Sequence, residues 1–192
     1  MQTREVLLVL TDRWADWEAG FAIAEVNSVP AYAVKTIVVD KQPKPSIGGL
    51  RACIDYALAE YEITDALAMV ILPGGFSWKE GRHDEIAGFV RKAAGMNIPI
   101  AAICGATIFL GKHGFLDHRK HTGDDLALFL GEQGYNGKAH YVPAQVVVDA
   151  GFITANETAA VEFAREVFRA LEIDGEDEID RWYDHFRHGM FL

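Results

Sequence analysis

The apolar positions of this chain fall into short unbroken runs, and stretches of helical period separate them. Val6-Leu7-Leu8-Val9-Leu10, Ala68-Met69-Val70-Ile71-Leu72 and Ile98 to Ile103 show no alternation of apolar with polar residues. A strand with that pattern is covered on both faces. Lys35 to Val39 reads as a further strand. Pro43, Pro45 and Gly48-Gly49 mark a loop, after which Leu50 to Cys53 is expected to form a short hairpin strand. Gln145 to Val148 and Phe152 to Thr154 read as strands around a turn at Asp149-Ala150-Gly151. The helical period begins at about Asp16, with Trp17, Phe21 and Ala24 expected on the apolar face. It recurs at Ile86, Phe89, Val90, Ala93 and Ala94, then from Gly105 to about Lys112, where Gly114 closes the helix. Val161, Ala164, Phe168 and Leu171 define another helix, and Ile179, Trp182, Tyr183, Phe186 and Met190 a last one.

Buried strands alternating with amphipathic helices imply an α/β three-layer sandwich, its mainly parallel, flavodoxin-like sheet covered by helices on both faces. The expected organisation is one domain over residues 1–192, with an extra C-terminal helix at about 175–191. Sites in such sheets gather at the carboxyl ends of the strands. Three strand ends qualify: Thr11 to Glu18, Pro73 to Trp78, and Cys104 to Ala106.

Composition removes several function classes. The net charge is -10 over 192 residues, and Lys and Arg form no cluster, so no nucleic-acid partner is expected. Acidic residues crowd the stretch from Glu172 to Asp180. The first apolar run is five residues long, too short for a secretory core or a membrane span, so a cytoplasmic protein without a membrane partner is expected. Two cysteines, Cys53 and Cys104, lie outside any CxxC pair and are expected to be free thiols, Cys53 a structural one. The segment Pro73-Gly74-Gly75-Phe76-Ser77 matches neither common nucleotide-binding pattern, and no cofactor is expected. His118, His121, Asp124 and Asp125 have metal-binding side chains. Their stretch reads as strand then turn, where residues three apart do not share a face, so no metal site is expected.

The chemistry concentrates at Ala102-Ile103-Cys104-Gly105-Ala106, which follows a buried strand and opens a helix. Small residues around a nucleophile at such a junction permit a sharp turn that exposes its side chain. The helix N-terminus is expected to favour the thiolate, and the amides of Gly105 and Gly74-Gly75 to face a developing oxyanion. The alternative is a small buried core cysteine. Glu18 stands at a helix start beside Trp14 and Trp17. That is either a solvated carboxylate complementing the helix dipole or a partly desolvated carboxyl with a raised pKa. Trp78 reads either as a wall of the pocket mouth or as a core aromatic.

These segments resemble the ThiJ/PfpI superfamily, also called the class I glutamine amidotransferase-like fold. The resemblance rests on Val6–Leu10 with Trp14-Ala15-Asp16-Trp17-Glu18, on Met69-Val70-Ile71-Leu72-Pro73-Gly74-Gly75, and on Ile100 to Ala106 with Gly114-Phe115-Leu116. It extends to Gly151-Phe152-Ile153-Thr154-Ala155 leading into Phe163-Ala164. It implies a reactive Cys104, Glu18 in contact with that thiol, backbone donors at Gly75 and Gly105, and a homodimer. The chain departs from the hydrolytic members, which carry His directly after the cysteine; here that residue is Gly105. Members that recruit a later His carry it where this chain has Asp124, with His121 three residues early, and no late His-x-Glu triplet is present. His121 is retained as a candidate third residue. The expected function is cysteine-dependent chemistry on a small electrophilic carbonyl or amide substrate through Cys104 and Glu18, of hydrolase, glyoxalase-like or amidase-like type. The alternative is a thiol redox sensor of oxidative stress in which Cys104 is oxidised.

Overall fold

The structure, a computed structural model, describes residues 3–81 and 83–189. Its parallel strands are β1 (Arg4–Val9), β2 (Tyr32–Val38), β3 (Tyr56–Ala57), β4 (Leu67–Leu72), β5 (Ile100–Ile103) and β7 (Phe152–Ala155). β6 (Val146–Asp149) pairs antiparallel with β7 at the edge, giving one seven-stranded sheet of order β3-β2-β1-β4-β5-β7-β6. Alternate residues of each buried run go to opposite layers. Val6, Leu8, Met69, Ile71, Ala101 and Ile103 meet α1 (Asp16–Ser28) and α5 (Ala160–Leu171). Leu7, Val9, Val70, Leu72, Ile100 and Ala102 meet α2 (Asp84–Gly95) and α3 (Gly105–Lys112). This two-sided burial is why the runs carry no polar alternation. The α/β sandwich expected from the pattern is the observed fold.

The register of β1 on β4 (Leu8 opposite Ile71) and of β4 on β5 (Leu72 opposite Ala102) brings three strand ends side by side. Thr11–Glu18, Pro73–Trp78 and Cys104 thus share one edge of the sheet.

Four local expectations change. The buried stripe of α1 is Glu18, Ala19, Ala22 and Val26, whereas Trp17 is 52% exposed and Ala24 lies outside. The helix is rotated so that Glu18 turns into the sheet edge and two alanines allow close approach beneath. Leu50 to Cys53 forms no hairpin strand. The segment is closed by single bridges (Pro45 with Arg51, Trp14 with Ser46), and the edge strand is β3, further on. Side chains supply the missing pairing: Thr36 donates its backbone N–H to Asp55 (2.8 Å) and its hydroxyl to the Cys53 carbonyl (2.7 Å). Cys53, expected to be structural, is exposed. The stretch from His118 to Asp125 is a turn with one bridge, His121 to Tyr141, not a strand. It runs into α4 (Leu126–Leu130), whose first turn Asp125 caps by accepting the Ala127 N–H at 2.8 Å. A five-residue helix is too short to show a period.

The last helix, α6 (Glu176–His188), covers α5. Ile179 is buried, and Trp182 packs edge-on against Phe168 with ring centroids 4.7 Å apart. Phe21 of α1 adds a second edge contact at 6.1 Å. Phe186 is 44% exposed, and Met190 lies outside the described residues. The buried Glu162 of α5 pairs with Arg187 of α6 at 3.0 Å. No helix of the described residues is long and apolar enough to cross a membrane.

Trp182→Ala should therefore lower the unfolding free energy by about 3 kcal/mol, the usual cost of truncating a packed aromatic. Urea unfolding followed by far-UV circular dichroism measures it. A loss below about 1 kcal/mol would mean that α6 is not part of the cooperative core.

Candidate active site

Cys104 joins β5 to α3 with φ 56° and ψ −130°, a conformation an L-residue seldom adopts. Three bonds hold it there. Its N–H donates to Ala155 O at 2.9 Å, and its carbonyl accepts the Thr107 N–H at 2.9 Å and the Thr107 hydroxyl at 2.7 Å. The residues around it must be small. A Cβ at Gly105 would stand 3.0 Å from Gly75 O and 3.5 Å from the Trp78 ring. The position where hydrolytic relatives carry His is thus packed beneath the turn after β4.

Glu18 enters from the first turn of α1 and is 1% exposed. Its Oε2 accepts the Gly74 N–H at 2.6 Å, and its carboxyl is hydrogen-bonded to the Cys104 thiol. Gly74 is wedged between the two groups. A Cβ there would lie 2.4 Å from Glu18 Oε2 and 2.9 Å from Cys104 Sγ, so only glycine fits. The Gly74 amide is therefore committed to Glu18 and not free for an oxyanion, contrary to the sequence expectation. Gly75, at φ 149°, continues the turn, which is pinned to the strand end by Ala15 N–H to Gly74 O (2.9 Å) and Phe76 N–H to Arg13 O (3.3 Å). The Gly75 N–H takes no part in these bonds. The Gly105 N–H is directed at the Cys104 sulfur.

Two further carboxyl groups close the ring. Cys104 Sγ, an Asp124 oxygen and a Glu157 oxygen all lie within 4.8 Å of one another. Asp124 is fixed by the Glu157 N–H, which donates to its Oδ1 at 2.7 Å. Neither was singled out for catalysis from the sequence. Asp124 carried a signal, as the residue standing where relatives recruit a late His. Glu157 carried none, because it reaches the site only through the pairing of β7 with β5.

This ring reverses the expected state of the thiol. Burial first, then the charges of Glu18 and Asp124, push the Cys104 pKa well above its ordinary value, against the pull of the Gly105 amide. The expectation of a helix-favoured thiolate fails because one amide does not outweigh desolvation and two carboxylates. Burial likewise pushes Glu18 up from 4.5 to about 7, opposed by its bonds to Cys104 and Gly74.

The remaining candidates lie elsewhere. His121 is fully buried, with Nδ1 at 2.7 Å from Arg119 O and Nε2 at 2.8 Å from Tyr135 Oη. Its ring sits among Phe129, Tyr135 and Tyr141. The structure does not bring it to Cys104, because its bridge to Tyr141 turns it into this aromatic cage. Trp78 is a core residue and not a wall of the pocket mouth. It is 2% exposed, donates Nε1–H to Pro73 O at 2.8 Å and packs at a tilt against Phe109 with ring centroids 4.7 Å apart. Trp17 and Phe76, at 52% and 54% exposure, are the open aromatics of the neighbouring segments. His118 meets His140, and Asp125 caps α4, so they do not join Asp124 in a metal cluster. The residues that would hold a divalent cation are instead Cys104, Asp124 and Glu157, whose one sulfur and two oxygens suit a borderline ion such as zinc.

Comparison with known proteins bears on this arrangement. The DJ-1/PfpI family model matches residues 4–170, ending before α6. An uncharacterized protease of Bacillus subtilis, YoaZ, is 37% identical over 191 residues, covering 95% of this chain and 90% of that protein. A second from the same organism, YdeA, is 32% identical and covers 98% and 93%. Among solved structures, a ThiJ/PfpI family protein from Bacillus anthracis superposes with TM-score 0.91 at 34% identity, covering 98% of this chain and 92% of its own. A DJ-1 superfamily protein from Agrobacterium tumefaciens, Atu0886, gives TM-score 0.88 at 29% identity, with 97% and 100% covered.

The raised carboxyl has a consequence for stability. Glu18 binds its proton more tightly in the folded chain than in the unfolded one. Its contribution is full below about pH 4.5 and is lost as the pH rises through about 7. Between those limits the loss is at most about 3 kcal/mol. Glu18→Gln should flatten the stability–pH profile across that window, as read by urea unfolding of both proteins. Parallel profiles would show that Glu18 ionises as an ordinary carboxyl.

Proposed function

Because the chain belongs to the DJ-1/PfpI family, we propose that it is a cysteine-dependent enzyme acting on a small, uncharged electrophilic carbonyl, with Cys104 as nucleophile and Glu18 as its base. One observation carries this reading: a buried carboxyl whose pKa lies at about 7 is hydrogen-bonded to a thiol whose own pKa is raised. A thiol of that kind rests protonated and needs a partner to take its proton. A carboxylate near pKa 7 has the strength that general-base catalysis favours at neutral pH.

In the addition step the Cys104 sulfur attacks the carbonyl carbon, and its proton passes to Glu18. The carbonyl π bond breaks, and its oxygen takes the negative charge beside the Gly105 and Gly75 amides. Glu18 then returns the proton to that oxygen, giving a neutral hemithioacetal. Atoms and charge balance with no further reactant, which suits aldehydes. Amide cleavage needs in addition a protonated leaving nitrogen, for which the proton that Glu18 has taken from the thiol is available. Asp124 and Glu157 beside the sulfur disfavour substrates carrying a carboxylate or phosphate next to the reacting carbon.

The alternative, a thiol sensor oxidised to sulfinate, has support from protonated Glu18 and the Gly105 amide. The same two carboxylates oppose it, since they repel the anion formed. The reading places the protein in a reducing, cytoplasmic compartment, where such a thiol stays free. It includes a homodimer, supported by the exposed apolar side chains of Trp17, Leu50 and Phe76.

Purified protein should consume a 2-oxoaldehyde, and Cys104→Ser should abolish this. Glu18→Gln should lower kcat/KM about 100-fold, since an amide cannot carry the proton. The kcat/KM of the unmodified protein should rise with pH through an apparent pKa of about 7, the limb on which Glu18 loses its proton. His121→Ala should keep its rate within a few-fold. Turnover of aldehydes, amides and peptides no faster than that of Cys104→Ser would end the catalytic reading, and a 100-fold loss in a folded His121→Ala would replace Glu18 as the base.

A further inference from the structure

α3 is buried along Gly105–Gly111, and one side chain of that run is polar, Thr107. It is fully buried. A hydroxyl in such a place costs free energy unless it is bonded, and valine has the same shape without that cost. The Thr107 hydroxyl donates to the carbonyl oxygen of Cys104 at 2.7 Å, and the Thr107 N–H donates to the same oxygen at 2.9 Å. A helical threonine often returns its hydroxyl to a carbonyl three or four residues back. Here that carbonyl belongs to the residue with φ 56° on which the site is built.

The Cys104 carbonyl and the Gly105 N–H belong to one planar peptide unit and point in opposite directions. Fixing the oxygen therefore fixes the direction of the amide, and that amide is the one directed at the Cys104 sulfur. The hydroxyl is itself held in place. A Cβ at Gly123 would stand 2.5 Å from Thr107 Oγ1 and 2.7 Å from the Phe129 ring, so the backbone of that glycine closes the space behind the hydroxyl. Gly111, one helical turn beyond Thr107 on the same face, meets the opposite edge of the Phe129 ring, 2.8 Å from where a Cβ would stand.

We propose that Thr107 is a positioning residue of the Cys104 centre: it turns the Cys104–Gly105 peptide so that the Gly105 N–H faces the sulfur and the oxygen formed beside it. Without the hydroxyl, one of the two bonds on the Cys104 carbonyl is lost, and the left-handed conformation relaxes towards the regions an L-residue prefers. The amide then turns off the sulfur. The thiolate loses its helix-terminal donor, and so does the oxyanion of the proposed addition. The effect on the oxyanion rests on the cysteine-dependent reading above, whereas the effect on the sulfur stands without it.

Both effects are measured on the full chain in a Cys53→Ala background, which leaves Cys104 as the one thiol. Iodoacetamide alkylation at mildly alkaline pH, followed by intact mass, reads the sulfur, and kcat and KM for a 2-oxoaldehyde read the oxyanion. Thr107→Val removes the hydroxyl at nearly constant shape, Thr107→Ala removes it with nothing added against Gly123, and thermal melts establish which are folded. Each folded variant should slow alkylation about tenfold, the scale of one hydrogen bond to a charged atom, and lower kcat by at least as much with KM within about threefold. Thr107→Ser keeps the hydroxyl and should bring alkylation and kcat back to within about threefold. A threonine that only packs gives the opposite sign, because a loosened elbow exposes the thiol and speeds alkylation. Alkylation that is unchanged or faster in the folded variants, or a Thr107→Ser as slow as Thr107→Val, would overturn the proposal. A protein without turnover ends the catalytic reading and leaves alkylation to decide the role of Thr107.

Discussion

The contact on which the site depends is the approach of Glu18 and Cys104 across Gly74. A carboxyl from the first turn of one helix and a sulfur from the residue that precedes another meet beside the Gly74 backbone, and a single Cβ at that point would overlap both. Everything nearby serves that approach. The strained φ of Cys104 lifts the sulfur out of the sheet, and the bonds from Ala15 and Phe76 tie the glycine turn to the end of β1. The rotation of α1 that leaves Trp17 in solvent delivers Glu18 to its place. The backbone strain of roughly 1–3 kcal/mol at such a residue persists because strand, helix and turn all constrain it.

Electrostatics then decide the character of the centre. Most reactive cysteines are activated by positive charge, which stabilises the thiolate in advance. Here Glu18, Asp124 and Glu157 surround the sulfur, and burial with the charges of Glu18 and Asp124 keeps the neutral thiol as the resting form, so the proposed addition must remove its proton. The helix-terminal amide remains, but in the proposed addition its task shifts from stabilising the thiolate to meeting the oxygen that becomes charged. A ring of carboxyl groups also sets the sign of what approaches.

The same sheet edge carries a second polar region of different nature. At the Cys104 end, the polar groups satisfy one another tightly: Glu18 with Gly74, Asp124 with Glu157. At the switch point between β1 and β4, the hydroxyls of Thr11 and Ser77 are buried without partners among the described residues. The turn Pro73–Lys79 contributes to both, placing Gly74 against the thiol and burying Ser77.

Much of this was legible before any coordinates, and the division has a physical basis. Uninterrupted apolar runs at Val6–Leu10, Ala68–Leu72 and Ile98–Ile103 mean burial on both faces, and only a layered, mostly parallel sheet does that, so the fold follows from local pattern. Cys104 at a strand-to-helix junction among small residues, and Glu18 at a helix start, are likewise local signals. Which side chains meet is not local. His121 and Asp124 are three positions apart, and a single bridge to Tyr141 sends the first into an aromatic cage while the second reaches the sulfur. Glu157 arrives through the pairing of β7 with β5, strands whose partners lie 52 positions apart. The protonation state of Cys104 depends on burial and on charges contributed by two distant segments, those of Glu18 and Asp124. Sequence determined the scaffold and the candidate nucleophile; tertiary structure alone decided the acidity of the site, because a charge acts through space and not along the chain.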